Sequence, residues 1–152
     1  FNRRHALEVA DHEIARRKRS RAPLSLIIAD IDHFKLINDS LGHEGGDQAL
    51  RAISALLRRS LRTQDIVARW GGEEFLLILP ETDIHQALEI AERLRHQVDN
   101  TPLVLEGQIS LAMSLTLGVS QHRDDESLDE CIGRADRSLY RGKQQGRNRV
   151  EH

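Results

Sequence analysis

Two short stretches of this 152-residue chain carry closely spaced carboxylates: Trp70-Gly71-Gly72-Glu73-Glu74-Phe75 and Asp30-Ile31-Asp32. Neighbouring carboxylates repel one another, and the two glycines let a ligand approach the backbone closely. Carboxylate oxygens are hard ligands that suit Mg²⁺. A lone Gly-Gly-Glu-Glu is as readily a solvated acidic turn. The second stretch changes the balance. It ends an apolar run, and a carboxylate at the end of a buried strand is costly unless it meets a cation or a partner.

The elements that must position these groups follow from periodicity. Asp65–Arg69 and the apolar run Phe75–Pro80 read as two strands joined at Gly71-Gly72, in a tight hairpin whose glycines supply φ > 0. Leu24–Ala29 is nearly continuously apolar, as expected of a central strand, and delivers Asp30 at its end. Residues 2–20 read as a helix capped by Asn2, with Ala6, Leu7, Ala10 and Ile14 on one face. Its end, Arg16–Arg21, suits a helix dipole better than a nucleic-acid patch.

After Asp32, a helical turn brings Lys35 and Asn38 close at i, i+3. Gly42, Gly45 and Gly46 predict a flexible bend, with Asp47 as N-cap of a helix to residue 61. That helix buries Leu50, Ile53, Leu57 and Leu61. Thr82 or Asp83 caps the next helix, to about Val98, with Ala87, Ala91 and Leu94 on its stripe. Leu103–Gln108 is ambiguous, with an extra strand as one option, and Leu111–Ser120 reads as a strand. A last helix, about 128–144, carries Leu128, Ile132, Ala135 and Leu139. Cys131 shares that stripe and reads as core, not as a nucleophile. Residues 142–149 are basic and read as a solvated helix exit.

Composition bounds the function. The length fits one domain over residues 1–152. A net charge of -2 gives no field that would attract nucleic acid. The single Cys131 suits a reducing, cytoplasmic compartment. No run approaches the roughly 20 apolar residues of a membrane span, although a longer parent could be membrane-anchored. The start at Phe1, without Met, reads as a piece of something longer. The element order is that of an α+β, ferredoxin-like fold with a central antiparallel sheet. Right-handed crossovers place the third strand between the first two and bring Asp30 to the sheet edge that carries the 71–74 turn. Converging carboxylates of this kind suit two metal ions roughly 3.5–4 Å apart, a phosphoryl-transfer arrangement.

Several motifs in order then resemble one family across nearly the whole chain. They are Asp30-Ile31-Asp32-His33-Phe34-Lys35, Asn38-Asp39, Gly42-His43, Gly46-Asp47, Arg69-Trp70-Gly71-Gly72-Glu73-Glu74-Phe75 and Lys143…Gly146-Arg147-Asn148. Together they resemble the GGDEF diguanylate cyclases, in the Glu-Glu variant. The resemblance implies a palm-like catalytic core that condenses two GTP into cyclic di-GMP and two pyrophosphates. It implies two Mg²⁺ (or Mn²⁺) ions per site, held by Asp30, Glu73 and the Ile31 carbonyl. Glu73 or Glu74 would take the proton from the attacking 3′-hydroxyl. Lys35, Lys143 and Arg147 would hold the triphosphate, and Gly71 and Gly72 would leave room for the nucleotide. Phe34 also falls in the nucleotide site. Asn38 and Asp47 resemble the guanine-reading pair, and His43 contacts the nucleotide or braces the turn.

The same resemblance implies a product-inhibition site at Arg62-Thr63-Gln64-Asp65, with Arg93 as a secondary arginine. An ordinary loop ion pair is the competing account. A homodimer would be needed, since each domain holds one GTP. The Asp-x-Leu-Thr-Gly-Leu stretch that precedes Asn2 in the family is absent, so the link to an upstream regulatory domain lies outside this chain. Gly142 stands where alanine is common, which would loosen the last helix by up to ~1 kcal/mol. The competing function is a silent GTP or cyclic di-GMP sensor; intact Asp30, Lys35, Glu73 and Glu74 weigh against it.

Overall fold

Leu24–Ile31 (β1) is buried at every position, as a strand covered on both faces must be. A computed structural model of the chain describes residues 2–105 and 109–152. Around β1 stand α1 (Arg3–Ser20), α2 (Phe34–Ser60), β2 (Ile66–Arg69), β3 (Glu74–Pro80) and α3 (Ile84–Asp99). They are followed by β4 (Leu103–Leu105), β5 (Ile109–Leu111), β6 (Leu115–Gln121), α4 (Leu128–Gln144) and β7 (Arg149–Glu151). The main sheet has the order β2-β3-β1-β6-β7, and β4 and β5 form a separate hairpin. β1 is antiparallel to both β3 and β6, and β2 is antiparallel to β3. β3 therefore lies between two parallel strands, as the crossover rule predicts.

Alternation along β1 divides the core. Ile27, Ala29 and Ile31 face α2 and α3, packing with Ile53, Leu57, Ala91 and Leu94. Leu24, Leu26 and Ile28 face α1 and α4, packing with Ala6, Ala10, Cys131, Ala135 and Leu139. Each Leu or Ile buried this way contributes about 1.5–3 kcal/mol. Cys131 is fully buried, accepts the core role expected of it, and its thiol is pushed up to about 11 chiefly by that burial. α4 lies close on the sheet because β6 and α4 meet at glycines. A Cβ on Gly118 would stand 2.0 Å from the Ala135 carbonyl oxygen, and one on Gly142 would stand 2.7 Å from Thr116 Cγ2. Gly142 is thus a packing requirement, not merely a weak point in the helix.

The helix ends follow the sequence. Asn2 caps α1, Asp83 caps α3 and Ser127 caps α4, the last two through reciprocal capping boxes with Gln86 and Glu130. At the end of α1, Arg16 bonds Glu81 and Arg17 bonds Asp124.

Three expectations are corrected. The 42–46 bend is a kink at Gly42 and does not reach Asp47. α2 runs through it, and only Gly42 leaves helical geometry, at φ 73° and ψ 176°. Asp47 is therefore inside α2 and caps nothing. The 111–120 strand is two: β5 ends at Leu111 and β6 begins at Leu115. Of the ambiguous 103–108 stretch, 103–105 is strand, while 106–108 lie outside the described residues. The basic tail is not a solvated exit. It reverses through Gly146, Arg147 and Asn148, all at positive φ, and β7 pairs parallel to β6. The open edge of β6 supplies backbone partners that a free tail would leave unused.

Candidate active site

The acidic edge is built by strand register. Asp30 pairs with Glu74 of β3 on one side and Thr116 of β6 on the other. The Ile31 N–H donates to the Glu73 carbonyl at 3.2 Å, fixing the hairpin loop against the end of β1. Arg69 pairs with Phe75, so five residues close the hairpin instead of two. A loop of this length needs no primed turn, and neither Gly71 nor Gly72 has positive φ. The expected turn geometry is corrected. A Cβ on Gly72 would meet nothing within 4 Å, so this glycine faces open space. Arg69 holds the loop from within, donating from Nε to the Gly71 carbonyl at 3.1 Å and from Nη2 to the Gly72 carbonyl at 2.6 Å.

α4 brings a cation to this edge. Lys143 Nζ donates to Asp30 Oδ2 at 2.7 Å. Burial raises the Asp30 carboxyl above its ordinary value, and the charge of Asp32 adds to this, against the pull of Lys143. Glu73 and Glu74 are raised too, first by burial and then by the charge of Asp30. For Lys143, burial works against the charged form. The bond to Asp30 and the charges of Asp30, Glu74 and Glu73 outweigh it, so its ammonium is held more firmly than usual. Three crowded carboxylates against one ammonium leave negative charge that a divalent cation would neutralise. The donors are all oxygens, without thiol or imidazole, which fits Mg²⁺ or Mn²⁺ better than zinc. Among the described residues, no three His, Cys, Asp or Glu side chains form a closed metal cage.

The two aspartates at the end of β1 diverge in role. Asp30 faces the acidic edge. Asp32 is buried and fully bonded: Ser114 Oγ donates to Oδ2 and Thr116 Oγ1 to Oδ1, each at 2.6 Å, and the Asn148 N–H donates to Oδ2 at 3.0 Å. The turn that follows α4 is held further by Arg147 N–H on the Gly142 carbonyl and Arg95 Nη1 on Asn148 Oδ1. Arg147 is exposed, and its guanidinium has no partner among the described residues.

At the kink in α2, Asn38 and the Gly46-Asp47 step are brought together. A Cβ on Gly46 would lie 1.8 Å from Asn38 Oδ1 and 3.2 Å from Phe34 Cζ, so only glycine admits that amide. Asp47 is exposed and lines a cleft of about 410 Å³ with Leu50, Arg51, Arg69 and Phe75. Lys35 and His43 are exposed and have no partner among the described residues.

Arg62 and Asp65 form a tighter unit than a surface pair. The Arg62 N–H and Nε both donate to Asp65 Oδ2, at 3.0 and 3.2 Å, and Nη2 reaches Oδ1 at 3.0 Å. Nη2 also bonds the Pro80 carbonyl and Thr82 Oγ1. The Asp65 side chain is only 1% exposed, against 44% for Arg62, so of the pair only the arginine reaches the surface. The two line a cleft of about 280 Å³ with Arg58 and Val67. Arg93 Nη2 donates to the Ser60 carbonyl at 2.6 Å, beside the end of α2.

Sequence reading passed over Arg69 as a brace, the separate duty of Asp32, and Arg3. The Arg3 guanidinium lies 4.0 Å from the Trp70 ring centroid and also donates to the Trp70 carbonyl, tying α1 to the hairpin. Only the arginine before Trp-Gly-Gly offered a sequence signal.

Comparisons with known proteins cover nearly the whole chain. The family model described as diguanylate cyclase, GGDEF domain, matches residues 1–149. The diguanylate cyclase DgcP of Pseudomonas aeruginosa is 40% identical over 150 residues, 99% of this chain but 22% of DgcP, so the chain spans a minor part of that relative. The GGDEF domain of DgcB from Caulobacter crescentus, solved in complex with c-di-GMP, superposes with a TM-score of 0.94 at 32% identity. That match covers 99% of this chain and 89% of the other. The active GGEEF domain of a diguanylate cyclase from Vibrio cholerae gives a TM-score of 0.90 at 37% identity, covering 99% and 95%.

Proposed function

The chain belongs to the GGDEF-domain family of diguanylate cyclases, and from that membership we propose that it condenses two GTP into cyclic di-GMP and two pyrophosphates. The observation that carries this reading is the convergence of Asp30, Glu73 and Glu74 on one sheet edge beside Lys143. The 3′-hydroxyl of one GTP attacks the α-phosphorus of the other. A new P–O bond forms, the α–β bridging bond breaks and pyrophosphate leaves; the reciprocal attack by the other 3′-hydroxyl then closes the ring and releases the second pyrophosphate. Glu73 or Glu74 takes the hydroxyl proton, and a carboxyl raised towards neutrality is the better base. Lys35, Lys143 and Arg147 hold the triphosphate and offset charge developing on it. Asn38 and Asp47 read guanine, whose N1–H and amine a carboxylate accepts together. Asp30, Glu73 and the Ile31 carbonyl would hold two Mg²⁺ or Mn²⁺ ions, supplying Lewis-acid charge at the phosphate and a more acidic 3′-hydroxyl.

One domain cannot supply both GTP molecules, so two domains face each other about a two-fold axis. Product binding at Arg62, Asp65 and Arg93 slows the reaction. The test is incubation with GTP and Mg²⁺, followed by mass spectrometry for cyclic di-GMP. Binding of GTP or product without turnover would instead make the domain a sensor.

A further inference from the structure

Asp32 is buried yet two residues from Asp30, and the reaction as described does not use it. Both its oxygens are occupied: Oδ1 by Thr116 Oγ1, and Oδ2 by Ser114 Oγ and the Asn148 N–H. The Asp32 N–H in turn donates to the Ser114 carbonyl at 2.9 Å. The residue is therefore tied to the sheet through Ser114 and Thr116, and to the turn after α4 through Asn148. Asn148 belongs to a costly turn. Gly146, Arg147 and Asn148 stand at φ 115°, 63° and 46°, and side-chain-bearing residues enter the left-handed region only when their surroundings hold them there. Asp32, just after β1, Arg95 of α3 and Arg149 of β7, whose Nε donates to the Arg147 carbonyl at 3.3 Å, bond this turn through their side chains. The turn presents Arg147, whose guanidinium has no partner among the described residues.

We propose that Asp32 is a positioning residue for the substrate's triphosphate: its carboxylate anchors the Asn148 N–H, which holds the strained turn that aims Arg147 at the phosphates. Asp32 touches neither metal nor nucleotide. The two carboxylates of Asp30-Ile31-Asp32 thus serve opposite ends of the substrate complex, one for metal and one for the phosphate grip. The inference rests on the proposed phosphate role of Arg147.

The test is a double-mutant cycle on GTP turnover with Asp32→Ala, Arg147→Ala and the pair. Asp32→Ala is expected to raise KM for GTP about tenfold, as loss of one charge-assisted anchor implies. The Mg²⁺ concentration for half-maximal rate should stay the same, because no metal ligand is lost. In the Arg147→Ala background the Asp32 change should add little, since its effect passes through Arg147. Asp32→Asn should restore much of the lost affinity, because the amide oxygen still accepts from Asn148 while its N–H₂ donates to the Thr116 hydroxyl; this variant also carries the test if Asp32→Ala does not fold. Additive effects, an Asp32→Asn variant as impaired as the alanine, or a raised Mg²⁺ requirement would each overturn the proposal. If Arg147→Ala alone leaves KM unchanged, the phosphate role of Arg147 fails instead, which is a separate result.

Discussion

Lys143 Nζ stands 2.7 Å from Asp30 Oδ2, so the last helix and the first strand meet at the acidic edge through one ion pair. Beside this pair α4 packs closely on β6 through glycines. Gly118 admits the Ala135 carbonyl, and Gly142, next to Lys143, admits the Thr116 methyl. Packing between layers and charge placement at the site are one arrangement.

That arrangement predicts the effect of Gly118→Ala. The new Cβ would press on backbone atoms, Ala135 O at 2.0 Å and Leu139 N at 2.6 Å, which cannot rotate away. α4 must shift outwards. The expected cost is about 2 kcal/mol, roughly 4–8 °C in Tm for a domain of this size, with a higher KM for GTP as Lys143 moves. Thermal melts and GTP kinetics check both. An unchanged Tm would show that α4 adjusts freely.

Asp30→Ala and Glu73→Gln should each abolish cyclic di-GMP synthesis with the fold intact. Each removes a proposed metal ligand and little core packing. Glu73→Gln nearly preserves size, so a collapsed circular-dichroism spectrum would assign Glu73 a structural role. Retained turnover in either variant would refute the two-metal account.

Asn38→Ala and Asp47→Ala should weaken GTP binding far more than ATP binding, since each leaves guanine groups unpaired at roughly 1–3 kcal/mol. Asp47 caps no helix, so its loss carries no capping penalty, and a fall in affinity reports the base alone. Gly46→Ala should mimic Asn38→Ala, because its Cβ would displace the Asn38 amide. Competition binding of GTP against ATP decides; unchanged discrimination would remove both residues from the base site.

The parts of this molecule that were legible in its sequence are those set by local pattern. The apolar run of β1, the stripes of α3 and α4, and caps such as Asn2 and Asp83 depend on neighbours a few residues away. Strand order followed from crossover handedness, and with it the meeting of Asp30 and the 71–74 loop. What was not legible depends on contacts far apart in the chain. Asp32 owes its role to Ser114, Thr116 and Asn148, at least 82 positions away. β7 forms because β6 offers an edge, which nothing in residues 149–151 announces. Gly42, Gly45 and Gly46 looked alike, yet only Gly42 breaks helical geometry, while Gly46 makes room for Asn38.

Assembly gives a further prediction. In the proposed reaction the 3′-hydroxyl held by one domain meets the α-phosphate held by another, so specific activity should rise with protein concentration. Sedimentation beside initial rates tests this directly. A concentration-independent rate from a demonstrated monomer would contradict it.

Product inhibition through Arg62 and Asp65 is the last expectation, and the geometry changes how it must be tested. Arg62 already spends its N–H, Nε and Nη2 on Asp65, Pro80 and Thr82, and the Asp65 carboxylate is nearly fully buried. Product would therefore have to engage the exposed side of the guanidinium, or displace part of this network. Either way, Arg62→Ala strands a buried carboxylate and should cost about 1–3 kcal/mol in stability besides weakening inhibition. A loss of inhibition in that variant alone could then reflect a loosened loop. Arg93 separates the two effects. Among the described residues it bonds only the Ser60 carbonyl at the end of α2, so Arg93→Ala should leave the stability within about 0.5 kcal/mol of wild type. If cyclic di-GMP binds across Arg62 and Arg93, that variant should still need several-fold more product for half-inhibition. Calorimetric titration with cyclic di-GMP, beside initial rates at rising product, measures both quantities. Wild-type product affinity in Arg93→Ala and Arg62→Ala together would reduce the Arg62–Asp65 unit to a structural brace between α2 and β3.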